Sequence, residues 1–334
     1  MKTQRDPHSI HPSVYDYSYK IVDDKPKPKS EYAIEDWTPR DIHNYLNNFV
    51  IGQEAAKKAV STFVYNCVEG RQSNIMLVGQ SGSGKTELFR ALQKGLKTQI
   101  HIFDATQITP AGYRGTSLSS LLYGIQEQSE TYSDVLVFDE VDKMISGDFG
   151  ALKAHELLKL LDHDVLQLQT DDGKHQFTFD ASRTSIALIG AFTDLRQKKT
   201  QKRPSLGFIQ EEEQINDSEE VTVNDLIDYG VSSELCGRIQ KVVTMDAPNL
   251  ITYCDIGKMT IKRISKEMQK PITVHPSVYE KLAREAMAQK VGARYIKNQL
   301  NNLIDDEIYD HPRSPAYIIG YSEAEVEEMN ALPF

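Results

Sequence analysis

The run SNIMLVGQSGSGKTELFR, from Ser73 to Arg90, constrains this chain more than any other stretch. Ile75, Met76, Leu77 and Val78 form an apolar run of strand length, and Gly79, Gly82 and Gly84 then open a tight loop. Lys85 and Thr86 begin a segment in which Leu88, Leu92, Phe89 and Leu96 fall at helical spacing. Strand, glycine-rich loop and helix in that order build a phosphate site. The glycines let successive backbone N–H groups point inward where no Cβ is tolerated. The positive end of the following helix adds to the field. Gln80, Ser81 and Ser83 complete the loop, Lys85 reaches the β- and γ-phosphates, and the Thr86 hydroxyl ligates Mg²⁺. A nucleotide with Mg²⁺ is the ligand this stretch implies.

A second strand signal carries the complementary chemistry. VLVF (135–138) runs straight into Asp139-Glu140. A buried parallel strand reads as a continuous apolar run, and ligands gather at its carboxyl end. Asp139 there orients the water shell of Mg²⁺, and Glu140 polarises an attacking water. An acid pair capping the next helix is the other reading of the same two residues. Their partnership with the phosphate loop favours chemistry.

At 334 residues the chain has room for more than one domain. The formal net charge of −10 argues against nonspecific attraction to nucleic acid or anionic membrane. Cys67, Cys236 and Cys254 are too scattered for a zinc pattern or a disulfide framework, which suits a reducing compartment. MKTQRDPHSIHP has no apolar core for a signal peptide, and no apolar run approaches membrane-spanning length. A soluble, cytoplasmic protein is expected.

Residues 1–37 read as an extended tail, with Pro26 and Pro28 precluding regular hydrogen bonding. A large α/β unit, a parallel sheet flanked by helices, is expected over 38–246, and a smaller, mainly helical one over 247–334. In the first, Thr38, Pro39 and Asp41 signal a helix start, and another helix begins near Gln53. TQIHIF (98–103) reads as a strand, Ser117 to Gln128 as a helix, VLQLQTDDGKHQFTFD as a hairpin about Asp172-Gly173, and SIALIG (185–190) as a buried strand. Residues 196–222 form a long polar loop, and KVVTM is a short strand. In the second unit, one helix ends near Lys290 and another begins at Ala293.

With these motifs in place, the chain resembles the AAA+ ATPases and, from about Trp37 to Tyr309, the ClpX family of ATP-driven protein unfoldases. GQSGSGKT and VFDEVDK are similar to that family's nucleotide motifs. The resemblance implies ATP and Mg²⁺ as cofactors, with Val50 and Ile51 lining the adenine pocket. It places an arginine finger at Arg238 in ELCGRI, and a γ-phosphate arginine at Arg294 in VGAR. It makes TPAGYRG a pore loop gripping substrate through Tyr113, with Arg114 where the family has an apolar residue. Leu206-Gly207-Phe208, in the long polar loop, looks like the family's tripeptide for docking a ClpP-type peptidase. A homo-hexameric ring threading protein substrates is the implied assembly.

The departures are informative. The family's amino-terminal zinc-binding domain is absent from the sequence, since residues 1–37 hold no cysteine. The stretch after Asp142-Lys143 is short, so a reduced second pore loop is expected, and the entrance motif survives only as Gly173-Lys174-His175. The sensor after SIALIG has only Thr193 as a candidate. A nucleic-acid motor or loader, and a stand-alone regulatory ATPase, remain alternatives. The acidic balance counts against the first and Glu140 against the second.

Overall fold

The computed structural model describes residues 37–95, 99–110, 115–128, 134–146, 150–193, 195, 220–289 and 291–320. In chain order come α1 (Pro39–Leu46), α2 (Glu54–Val68), β1 (Asn74–Gly79), α3 (Lys85–Gly95), β2 (Gln99–Asp104), α4 (Leu118–Gln128), β3 (Asp134–Asp139), α5 (Val141–Ser146) and α6 (Gly150–Leu161). Next are β4 (Val165–Gln169), β5 (Gln176–Asp180), β6 (Thr184–Gly190), α7 (Val223–Tyr229), α8 (Ser233–Gly237) and β7 (Lys241–Met245). The chain continues through α9 (Leu250–Met268), β8 (Ile272–Val274), α10 (Pro276–Gln289), α11 (Ala293–Asp310) and β9 (Tyr317–Ile319).

Five strands form one parallel sheet in the order β2-β3-β6-β1-β7. Every residue of β1 and of β6 is buried, as expected of apolar strands covered on both faces. Their side chains alternate between two cores. Ile75 and Leu77 pack towards α1, α2 and α3, whereas Met76 and Val78 join the cluster built from α4 to α8. The register pairs Val78 with Gly190 and Phe138 with Leu188, so the carboxyl ends of β1, β3 and β6 meet at one edge. That edge is where an open α/β sheet receives its ligand.

A third cluster joins α9, α10 and α11 through Ile261, Leu282, Ala283, Ile296 and Leu300. The region is mainly helical, in line with the sequence reading, and it also carries the short strands β8 and β9, which pair in parallel. The second helix starts at Glu54, next to Gln53 as the sequence led one to expect, with Gln53 left-handed (φ 58°) as its N-cap. The strand read at 98–103 runs from Gln99 to Asp104, and α5 was not anticipated. The start of α1 follows the sequence: Asp41 N donates to Thr38 Oγ1 (3.3 Å), and Thr38 N donates to Asp41 Oδ2 (2.9 Å).

Candidate active site

The loop leaving β1 turns through Gly82 (φ 81°) and Gly84 (φ 99°), backbone conformations that side chains disfavour. It delivers Lys85 and Thr86 to the first turn of α3. Lys85 is buried, and its Nζ donates to the carbonyls of Gly79 (2.5 Å) and Gln80 (2.8 Å). Thr86 Oγ1 donates to Asp139 Oδ2 at 2.6 Å, spanning the gap between β1's loop and the end of β3. Asp139 Oδ1 accepts from the backbone N–H of Glu140 at 2.9 Å. Glu140 itself is left-handed (φ 60°). A non-glycine residue held there stores strain, which concentrates at functional sites. Its carboxylate meets Lys143 Nζ at 2.9 Å and raises that lysine's pKa above the ordinary range.

Asp142 is buried beside them. It accepts from the N–H groups of Ala191 (3.1 Å) and Phe192 (3.2 Å), tying the end of β6 to the acids that follow β3.

These groups open on a cavity of about 300 Å³ whose second wall is helical. Val50 and Ile51 line it from the segment after α1, Thr252, Ile256 and Met259 from α9, and Arg294 and Lys297 from α11. Gly292, immediately before α11, has φ 73°. A Cβ on it would lie 2.8 Å from Ser81 O and 2.9 Å from Gly82 Cα, so the two backbones touch.

A family model described as AAA domain (Cdc48 subfamily) matches residues 71–242, just over half of the chain. The chain belongs to the AAA domain family. It is also similar to the ATP-dependent Clp protease ATP-binding subunit ClpX of Treponema denticola, with 28% identity over an alignment 351 positions long. That match takes in 89% of this chain and 82% of the relative. The protein is thus a ClpX-like AAA+ ATPase, a nucleotide-binding enzyme that hydrolyses ATP. Among its described residues, no helix is long and apolar enough to cross a membrane.

In this ATPase the sequence-predicted residues divide into three groups. Val50, Ile51, Ser81, Gly82, Ser83, Gly84, Lys85, Thr86, Asp139, Glu140 and Arg294 share one cavity, while Gly79 and Gln80 adjoin it through the carbonyls that hold Lys85. Arg238 is not among the cavity's lining residues; its guanidinium is paired with Asp162. Tyr113, Arg114 and Leu206-Gly207-Phe208 lie outside the described residues. What is described near Tyr113 is the base of its loop, where Thr109 N donates to Thr116 O at 3.1 Å. The Gly173-Lys174-His175 turn packs against α4, the helix that follows that loop. His175 stacks on Tyr123 (5.1 Å), and Asp171 accepts from Ser117 N (3.0 Å) and Ser120 Oγ (2.7 Å).

Sequence reasoning missed Asp142, Ala191 and the α9 wall. Asp142 was visible as the third acid of DEVDK, but only burial reveals what it holds. The residue of the β6 exit that lines the cavity is Ala191, whereas Thr193 is exposed and not among the lining residues. Thr252, Ile256 and Met259 form a helical stripe that a sequence cannot distinguish from core.

Proposed function

We propose that this ATPase couples hydrolysis to unfolding or remodelling of proteins, as a ring of six subunits that draws polypeptide through a central pore. Residues 38–246 would act as the large unit and 247–334 as the small one, with the nucleotide between them. The observation that carries the reading is a complete phosphate site with its finger elsewhere. Loop, acids and Arg294 converge on one cavity, while Arg238 does not line it and would instead serve a neighbouring subunit. The ClpX relative is named as the ATP-binding subunit of a protease. Here the corresponding partner would be a ClpP-type peptidase, docked through Leu206-Gly207-Phe208, and Tyr113 would grip the substrate.

The residues fit Mg²⁺. The Thr86 hydroxyl and Asp139 carboxylate are hard oxygen donors 2.6 Å apart beside the phosphate loop. Bound there, the ion would neutralise charge on the transferring phosphoryl group. Lys85 would neutralise phosphate charge, and Glu140 would accept a proton from the attacking water. Its backbone is left-handed at φ 60°, and its carboxylate is paired with the Lys143 ammonium at 2.9 Å.

Lys85→Ala should lose ATP affinity, whereas Glu140→Gln should bind ATP, hydrolyse it very slowly and retain protein substrates in a pull-down. Near wild-type hydrolysis by Glu140→Gln would remove the catalytic assignment. ATPase rates stimulated by DNA but not by unfolded protein would replace the unfoldase reading with a nucleic-acid motor.

A further inference from the structure

Arg238 is held by more than a chance surface contact. Its Nε and Nη2 donate to the two oxygens of Asp162 at 2.6 and 3.0 Å, and Nη1 donates to Glu234 O at 2.9 Å. A guanidinium has five N–H donors, and three are used here. One N–H remains on each Nη, which is the complement needed for a two-pronged hold on phosphate oxygens.

The backbones beneath this pair are fixed as well. Asn74, buried at the start of β1, donates from one Nδ2 to Leu161 O and to Arg238 O, each at 2.9 Å. The residue before Asp162 and Arg238 itself are therefore clamped to the same side chain. Asp162 follows the last residue of α6, and a negative charge just past a helix carboxyl end is opposed by the helix dipole. The pair is also one-third exposed, where ion pairs add little to stability. An unfavourable site and a small stabilising return leave orientation of the guanidinium as what the carboxylate supplies.

We infer that Asp162 is the positioning residue for Arg238: it fixes the plane of the guanidinium and leaves the two outer N–H groups aimed at the phosphate of a neighbouring subunit. The inference rests on the proposed action of Arg238 across a subunit interface. A long arginine side chain is costly to immobilise, and the bidentate carboxylate meets that cost before the neighbour's nucleotide arrives.

The test is steady-state ATPase of the full chain at saturating ATP and at a protein concentration that keeps rings assembled. Asp162→Asn removes the charge and puts an amide N–H₂ against an arginine donor, so kcat should fall about ten- to a hundredfold. The KM for ATP and the unfolding temperature should hold within experimental error. Asp162→Glu, which keeps the charge, should recover part of the loss. In an Arg238→Ala background, Asp162→Asn should cost nothing further, because the group it positions is gone. Unchanged or raised kcat in Asp162→Asn, alongside a loss in Arg238→Ala, overturns the positioning role alone. So do losses that multiply in the double variant. Full activity in Arg238→Ala overturns the finger reading and the positioning role together.

Discussion

Gly292→Ala tests whether the contact between the phosphate loop and the helical wall is needed for ATP binding. At φ 73° and ψ −174° the backbone of Gly292 lies where an alanine is strained by about 1–3 kcal/mol. The new methyl would also sit 2.8 Å from Ser81 O and 2.9 Å from Gly82 Cα, and both are backbone atoms that cannot swing aside. Relief requires α11 to move off the phosphate loop, carrying Arg294 and Lys297 with it. If the full strain falls on the closed, ATP-bound form, affinity drops by a factor of about 5 to 150. Titration with a fluorescent ATP analogue measures this directly, and a thermal melt reports any share of the strain already present without nucleotide. Val291→Ala is the control, since Val291 is exposed and its truncation leaves the backbone conformation free. Gly292→Ala protein with wild-type ATP affinity and melting temperature would refute the requirement for close approach.

Three further outcomes are expected. Mixing Arg238→Ala with Lys85→Ala subunits should restore activity, because a finger is worth about 10³–10⁵ in rate and mixed rings regain complete sites; no recovery in verified mixed rings would place the finger's action in cis. Asp142→Ala leaves the Ala191 and Phe192 N–H groups without their acceptor, so it should destabilise the chain by about 2 kcal/mol or more in urea unfolding, and an unchanged midpoint would deny the tether its structural role. Phe208→Ala should abolish association with a ClpP-type peptidase in sedimentation while ATPase activity survives, and wild-type rings that ignore the peptidase under ATP would mark a stand-alone remodeller.

What the sequence made legible was local and chemically dense. The phosphate loop combines strand, glycines and helix within eighteen residues, Ser73 to Arg90, and needs no distant contact to be recognised. Asp139-Glu140 was readable because an apolar strand ends on it, and the break before Ala293 because Gly292 interrupts a helical stripe. What escaped depends on chain segments far apart. Arg238 and Asp162 are 76 residues apart, and neither residue type announces the other. The β8–β9 strands are three residues each, too short for alternation to register, and their pairing joins segments separated by two helices. Left-handed Glu140 and Gln53 follow from tertiary context that outweighs their own preferences.

The β8–β9 pair also decides where the chain leaves the helical region. Ile272 lies beside Tyr317 and Val274 beside Ile319, and His275 N donates to Ile319 O at 2.9 Å. The path out therefore doubles back from the end of α11 to the corner where α9 gives way to α10. A reporter or affinity handle fused beyond Gly320 would be anchored at that corner, whatever the length of α11. Any truncation that removes Tyr317 to Ile319 would also strip β8 of its only strand partner among the described residues, and so unfasten the opening of the segment as well as its close.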